Sequence, residues 1–174
     1  LIEQLLTLAR LESSANVEAE ACDLRALGME VMMELAPEAH EAGISLELLE
    51  GGAVTIAGLP ILLQVLMRNL IDNAIRYTPS GTHITLDILK HPTPILIISD
   101  NGLGLSDEEM TKITQRFYRV LGNQASGSGL GLSIVERIAA IHQANVTFSK
   151  PLTGQGLQVT VTFQPPIIVA KRDY

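Results

Sequence analysis

The apolar residues of this sequence are divided among short segments, and this division constrains the fold more than any other feature. The richest segments, 61–67 and 95–98, are far shorter than the roughly 20 apolar residues that span a bilayer. The chain is 47% hydrophobic but only 3% aromatic, so its core residues are mainly aliphatic. We expect core elements rather than membrane spans. Charged residues such as Glu3 and Arg10 also argue against a signal peptide.

Length and charge limit the class of protein. A chain of 174 residues is long enough for one domain, or for one domain with a fragment of another. Twelve Lys and Arg residues stand against nineteen Asp and Glu residues, which gives a formal net charge of −7. Because such a chain is poorly suited to gripping nucleic-acid phosphates, we expect no nucleic-acid partner. Cys22 is the single cysteine, so an intramolecular disulfide is excluded.

Helical and strand-like hydrophobic periods alternate along the chain and predict its fold class. The helical segments are bounded by residues typical of helix ends, including Asp23, Gly43, Pro60 and Pro79. Strand pairs with helices grouped between them favour a two-layer α/β sandwich, with one mixed sheet and helices on one face. The predicted helices are 24–42, 60–77, 107–113 and 129–142, and the predicted strands are 44–48, 54–57, 82–89, 95–99, 145–149 and 157–163.

The N-terminus carries leucines at helical spacing. This stripe has few residues of its own to pack against, so we interpret residues 1–15 as the end of a longer helix. Its partner would lie outside this chain or on a second copy. Residues 13–16 are polar and suit a linker, 16–164 form the main domain, and 165–174 form a tail. The leucines are Leu1, Leu5, Leu8 and Leu11.

Asn69, Asn73 and Arg76 share one side of the predicted helix 60–77, opposite its apolar side. Asn is only an ordinary helix former, so two Asn residues four positions apart ask for an explanation. A solvated face explains them as well as a functional site does. In the functional interpretation, Asn73 offers an amide oxygen to Mg²⁺, while Arg76 and Tyr77 face a polyphosphate.

Asp100 follows directly on the apolar strand 95–99 and precedes Gly102 and Gly104. A carboxylate at the end of a buried strand can accept a hydrogen bond from a ligand in a cleft, and glycines let backbone approach closely. If the ligand is adenine, its amino group donates to Asp100, whereas the carbonyl of guanine is repelled. The alternative is an ordinary Asp-Asn-Gly turn.

A second glycine-rich segment, 127–133, opens the predicted helix 129–142. Glycines at a helix N-terminus can turn backbone N–H groups toward an anion, and the helix dipole adds to the attraction. The segment is neither a Walker A loop nor a Rossmann fingerprint, since no Lys-Ser/Thr follows it and no strand leads into it. The residues before it, 116–126, combine aromatic, basic and polar side chains and suit a mobile lid.

Together these segments resemble the catalytic, ATP-binding domain of sensor histidine kinases, in the superfamily that includes gyrase, chaperone and mismatch-repair ATPases. The N box is 69–79, the first glycine box 100–104, the F box 117–119 and the second glycine box 127–132. The resemblance covers residues 16–164 and implies a Bergerat-type sandwich that binds Mg²⁺ and ATP. The segments are most similar to quorum-sensing sensor kinases of enteric bacteria.

The resemblance also implies roles for individual residues. Asn73 is the Mg²⁺ ligand and Asp100 the adenine acceptor. Asn69, Arg76 and Arg119 join Asn73 on the catalytic, phosphate side. The implied nucleotide-binding residues are Asn69, Asn73, Arg76, Tyr77, Asp100, Gly102, Gly104, Phe117, Arg119, Gly127, Ser128, Gly129, Leu130, Gly131 and Leu132.

The sequence departs from the family at the phosphoacceptor. The family carries a histidine, an acidic residue and, after two more residues, Thr-Pro, and none of the four histidines here has this context. Residues 1–15 resemble the end of the second helix of the dimerisation domain. We therefore expect a catalytic fragment from the cytoplasmic side of an inner-membrane sensor, without direct membrane contact. It would pass the γ-phosphate of ATP to a histidine on the dimerisation domain of a homodimer, for relay to a response regulator.

Position 69 separates this prediction from its alternatives. ATP-hydrolysing members of the superfamily are expected to carry Glu there, to activate water, whereas the amide of Asn69 has no useful basicity. A neutral imidazole is itself a nucleophile and needs no strong base. Kinase chemistry is therefore favoured over an ATP-hydrolysing clamp, a nucleotide-binding module without catalysis and a serine kinase.

Overall fold

The computed structural model describes residues 18–90, 92–113 and 130–164. The leucine stripe, the predicted linker, the F box, the first half of the second glycine box and the tail lie outside these residues. Each predicted helix and strand of the main domain has a counterpart in the structure. In chain order the elements are β1 (Glu20–Asp23), α1 (Leu24–Glu41), β2 (Ser45–Leu48), β3 (Thr55–Gly58), α2 (Pro60–Tyr77), β4 (His83–Leu89), β5 (Ile95–Asp100), α3 (Asp107–Met110), α4 (Gly131–Ile141), β6 (Asn145–Ser149) and β7 (Gln158–Thr162).

The main sheet has five strands in the order β2-β4-β5-β7-β6. β2 and β4 are parallel, and the other neighbours are antiparallel. The segment between the parallel strands contains α2, as a crossover between parallel strands requires. The predicted mixed sheet is confirmed.

One face of this sheet is buried and the other is only half-buried. Leu86, Ile98 and Val161 on the buried face are at most 2% exposed. The intervening residues are more polar, as Thr85 and Thr160 show. α1 packs over β2 and β4, α2 over β4 and β5, and α4 against β6. The helices therefore cover one face, as predicted.

β1 and β3 form a separate two-stranded antiparallel ribbon, which corrects the prediction of a single sheet. Cys22 pairs with Ile56 in this ribbon, and both side chains are buried. The backbone N–H of Leu24 donates to the carbonyl of Val54 at 2.9 Å and ties the start of α1 to the ribbon. The apolar alternation of a four-residue strand shows that a strand is present but does not specify its partner.

α2 is the central helix, because it packs against both α1 and α4. Its contacts with α1 advance in the same direction along both helices, from the Glu30–Gln64 pair to Glu34–Arg68, so the two helices are parallel. Its apolar side is fully buried. None of the helices in the described ranges is both long enough and apolar enough to span a membrane.

Candidate functional site

Asn69 and Asn73 lie one turn apart on α2, on the side that faces the start of α4. The side-chain amide of Asn69 donates from Nδ2 to the carbonyl of Val65 at 2.8 Å. A Cβ atom placed on Gly131 would lie 3.1 Å from Asn69 Oδ1 and 3.3 Å from Asn73 Nδ2. A larger residue at position 131 would therefore crowd both amides. The fold brings the N box and the second glycine box together at this point.

The N-terminal end of α4, with its first backbone N–H groups, lies beside the side-chain amides of Asn69 and Asn73. Gly131 is the first residue of the helix, and the apolar side chain of the preceding Leu130 cannot cap it. The first N–H groups of a helix have no acceptor within the helix, and this end carries partial positive charge. Leu130 is 2% exposed and Leu132 packs partly buried against the core, so both hold the helix end in place. Such a helix end is suited to an anion.

Asp100 ends β5 with only 8% of its surface exposed. Its Oδ1 accepts hydrogen bonds from the backbone N–H of Gly102 at 2.9 Å and of Leu157 at 3.3 Å. No residue in the described ranges donates to Oδ2. Burial raises the pKa of Asp100, and the two backbone donors partly oppose this shift. One carboxylate oxygen is thus held by the protein, and the other is left to accept from a ligand.

Two glycines let the loop that follows β5 and the loop that precedes β7 pass with their backbones in contact. Gly104 has φ +71°, and a Cβ on it would lie 2.6 Å from the Gly156 carbonyl oxygen. Gly156 has φ +104°, and a Cβ on it would clash with the backbone oxygen of Asp100. Only glycine combines these conformations with such close approach. Gly156 is not among the residues predicted from the sequence, where its one signal is the Gly-Gln-Gly turn at 154–156 before the last strand.

The end of α2 abuts the first glycine box through Thr78, a residue to which the sequence analysis gave no role. The Thr78 hydroxyl donates to the carbonyl of Ala74 at 2.6 Å. A Cβ on Gly102 would lie 2.8 Å from Thr78 Cγ2. Glycine at position 102 therefore lets the loop after Asp100 approach α2, the helix that carries Asn69 and Asn73. The site thus has two neighbouring sides, one around Asp100 and one around the two Asn side chains.

Arg76 is held by acidic side chains. Its Nε donates to Asp72 Oδ1 at 2.7 Å, and its Nη2 lies 3.7 Å from Glu38 Oε1 on α1. The hydrogen bond to Asp72 raises the pKa of Arg76. Tyr77, the next residue, is 37% exposed. Contact of Arg76 and Tyr77 with a polyphosphate stays a prediction.

Five of the predicted site residues lie outside the described ranges. Two belong to the F box and three to the second glycine box. Their part in the site stays a prediction. They are Phe117, Arg119, Gly127, Ser128 and Gly129.

Comparison with known proteins places this chain in a family. A family model described as "Histidine kinase-, DNA gyrase B-, and HSP90-like ATPase" matches residues 58–167. Sensor protein QseC of Salmonella typhimurium is 41% identical over 165 residues, which are 94% of this chain and 36% of that protein. The chain therefore spans about a third of the length of this relative.

Solved structures share the sandwich. The cytoplasmic segment of histidine kinase QseC is 29% identical with a TM-score of 0.66, over 94% of this chain and 89% of that one. Full-length ShkA, in complex with AMPPNP, is 25% identical with a TM-score of 0.73, over 93% of this chain and 34% of that one. The expected α/β sandwich of histidine kinase catalytic domains is confirmed. This chain belongs to the family of histidine kinase-, DNA gyrase B- and HSP90-like ATPases.

Proposed function

We propose that this chain is the catalytic domain of a sensor histidine kinase, which binds Mg²⁺-ATP and donates the γ-phosphate to a histidine on a dimerisation domain. The observation that carries the proposal is the meeting of two unlike sides in one site. A buried carboxylate with one oxygen available lies at the end of β5, and two side-chain amides lie against a glycine-led helix end. The first suits a nucleobase with an amino group and the second suits phosphates.

Asp100 would select the base. Its Oδ1 is already occupied by two backbone donors, so a base meets Oδ2. The amino group of adenine donates to such an oxygen, whereas the carbonyl oxygen of guanine is repelled by it. We infer that ATP is preferred to GTP. Gly102 and Gly104 would shape the walls of this side by bringing backbone close to the base.

The amide side would hold the polyphosphate. The start of α4 presents backbone N–H groups beside Asn69 and Asn73, so phosphate charge is met without a cluster of cations. An acidic chain can bind ATP in this way. Phosphoryl transfer depends mainly on positioning and on neutralising charge, which are tasks that this side can perform.

The donors on the amide side fit Mg²⁺. Asn73 is the residue that would hold the ion, and the Oδ1 of Asn69 lies beside it as a second neutral oxygen. Mg²⁺ prefers oxygen ligands and is often bound by a few protein groups together with substrate phosphates. When bound, the ion would supply neutralisation of the phosphate charge. The hydrogen bond to the Val65 carbonyl fixes the side-chain amide of Asn69, and this amide would in turn help to orient the phosphates.

The environment of Asn69 favours a kinase over an ATP-hydrolysing clamp. Its amide nitrogen donates to a backbone carbonyl, and neither amide atom can act as a general base for water. A histidine acceptor needs no such base. In the proposed protein, residues 1–15 end a dimerisation helix, 16–164 form the catalytic domain and 165–174 form a tail. The domain would lie on the cytoplasmic side of a membrane sensor that forms a homodimer and passes phosphate to a response regulator.

Calorimetric titration with Mg²⁺-ATP tests the binding site. Asn73→Ala and Asp100→Ala should each abolish measurable binding, while the exposed Asn145→Ala and the half-buried Asp87→Ala on the open sheet face serve as matched controls. Wild-type affinity in Asn73→Ala and Asp100→Ala would refute the site.

Phosphotransfer is tested by adding a separate dimerisation domain that bears the acceptor histidine, with ATP labelled on the γ-phosphate. Acid-labile, base-stable label should appear on that domain. Tight ATP binding with steady phosphate release, and with no phosphohistidine, would instead support the hydrolysing clamp.

A further inference from the structure

His142 joins the end of α4 to the start of α2. Its Nε2 lies 3.0 Å from the backbone nitrogen of Leu59, and its Nδ1 lies 2.8 Å from the carbonyl oxygen of Ile138. The Leu59 N–H can only donate and the Ile138 carbonyl can only accept. Nε2 must therefore be the acceptor and Nδ1–H the donor, which requires the neutral ring with its proton on Nδ1.

The surroundings of the ring favour this neutral form. A Cβ on Gly58 would lie 3.0 Å from His142 Cδ2, so the glycine leaves room for the imidazole. Burial lowers the pKa of His142, the hydrogen bond to Ile138 opposes the shift, and no charged side chain in the described part of the chain contributes to it. Protonation of Nε2 would remove the acceptor for Leu59. The tie between the helices is therefore made by one protonation state.

The geometry of the helix pair carries the effect of this tie to the site. His142 at the end of α4 meets the start of α2, whereas Gly131 at the start of α4 meets Asn69 and Asn73 farther along α2. The two helices are therefore antiparallel, and each end of α4 contacts α2. The ends of α4 are separated by about 16 Å at 1.5 Å per residue, a length over which a helix moves nearly as a rigid body. A shift at His142 would therefore also move Gly131.

We infer that His142 is a positioning residue for the phosphate side of the nucleotide site, because it fixes the distance of Gly131 from Asn69 and Asn73. The inference rests on the proposed function. Asp100, on β5, is held by Gly102 and Leu157 and takes no part in this tie. A weakened tie should therefore lower the affinity for phosphates and spare the affinity for the base.

Three variants of the full chain test the inference. His142→Leu removes both hydrogen bonds, His142→Gln keeps an amide that can accept from Leu59, and His40→Leu is a control at an exposed histidine. Mg²⁺-ATP is titrated calorimetrically and adenosine by NMR, at pH 8 and at a temperature where circular dichroism shows each variant folded. His142→Leu should weaken Mg²⁺-ATP binding about tenfold and change adenosine binding less than about twofold. His142→Gln should recover most of the loss, and His40→Leu should match the wild type.

A pH series gives a readout that a merely structural role would not move. Burial lowers the pKa of His142, so the series runs from pH 8 down to the lowest pH at which circular dichroism shows both proteins folded. Over this range the ratio of ATP affinity to adenosine affinity should fall more in the wild type than in His142→Gln, since glutamine does not titrate. Protonation of ATP itself affects both proteins equally, so the difference between them reports His142. This comparison also decides the question if His142→Leu does not fold.

Parallel pH curves for wild type and His142→Gln would overturn the inference. So would a folded His142→Leu whose ratio of ATP to adenosine affinity equals that of the wild type. Both results presuppose that the wild type binds Mg²⁺-ATP. Absence of that binding would instead refute the proposed function.

Discussion

The two sides of the candidate site are built in different ways. The base side, around Asp100, consists of backbone passing against backbone, where Gly104 and Gly156 leave no room for a side chain. The phosphate side, around Asn69 and Asn73, consists of side chains from one helix facing the end of another. A Cβ added on the proposed base side should therefore displace backbone and disrupt the fold, whereas a Cβ added on the proposed phosphate side should be accommodated by small side-chain movements.

Gly156→Ala should give the largest effect. The added Cβ would clash with the backbone oxygen of Asp100, and φ at this position is +104°, so both the β5 end and the loop before β7 must move. We expect a loss of about 3 kcal/mol or more in the free energy of unfolding, together with loss of nucleotide binding. Urea denaturation and calorimetry measure the two effects.

Gly154→Ala is the matched control for this variant. Gly154 also has a positive φ, of +80°, but a Cβ on it would meet nothing within 4 Å. It should show only the cost of the left-handed conformation, about 1 kcal/mol. Equal destabilisation by the two variants would show that the close backbone approach at position 156 contributes nothing to stability. The proposed difference between the two sides of the site would then be refuted.

Asp100→Asn should abolish base recognition without harming the fold. The amide oxygen can still accept from Gly102 and Leu157, but the other atom becomes a donor that meets the amino group of adenine. ATP affinity should fall about 100-fold, as expected for a buried donor left without an acceptor. GTP should bind relatively better than to the wild type, and competition between the two nucleotides measures this. An unchanged preference would contradict the assigned role of Asp100.

The raised pKa of Asp100 predicts a pH effect on stability that Asp100→Asn should remove. Burial raises the pKa of Asp100 in the folded protein above its value in the unfolded chain, which is about 3.9. The folded protein then holds the proton more tightly, so stability is lost as pH rises from about 4 through the folded pKa. Asn does not titrate. In urea denaturation, Asp100→Asn should match the wild type below pH 4 and exceed its stability at pH 7.

Gly131→Ala should produce a smaller and more selective change on the phosphate side. The Cβ would lie 3.1 Å from Asn69 Oδ1, a distance that a small movement of the amide can relieve. We expect about a tenfold loss of Mg²⁺-ATP affinity with adenosine binding intact. Stability should change little, because Gly131 is the first residue of α4 and only a side-chain amide has to give way. A larger loss of stability than in Gly156→Ala would reverse the comparison between the two sides.

Features that depend on neighbours in the chain could be predicted from the sequence, whereas contacts between distant residues were missed unless the resemblance to a family supplied them. The N-cap at Asp23 and the Pro at the start of α2 mark helix ends within a few residues, and both helices were predicted. Asp100 is a candidate site residue in the sequence because it directly follows an apolar strand. Gly156 and His142 act on residues more than 50 positions away, so no local pattern indicated their contacts. The β1–β3 ribbon escaped prediction because its paired residues, such as Cys22 and Ile56, are also far apart in the chain.

Arg76→Gln should give the smallest effect, and it tests whether this side chain belongs to the phosphate side at all. Arg68 is a matched control, because it also projects from α2 toward a glutamate on α1, Glu34 in its case and Glu38 for Arg76. Both ion pairs are partly exposed, so each Arg→Gln variant should cost no more than about 0.5 kcal/mol of stability. If Arg76 also meets phosphate, its variant alone should weaken Mg²⁺-ATP binding, by about threefold. Equal ATP affinities in the two variants would assign Arg76 to the contact between α1 and α2 and leave the phosphate side to the amides and the end of α4.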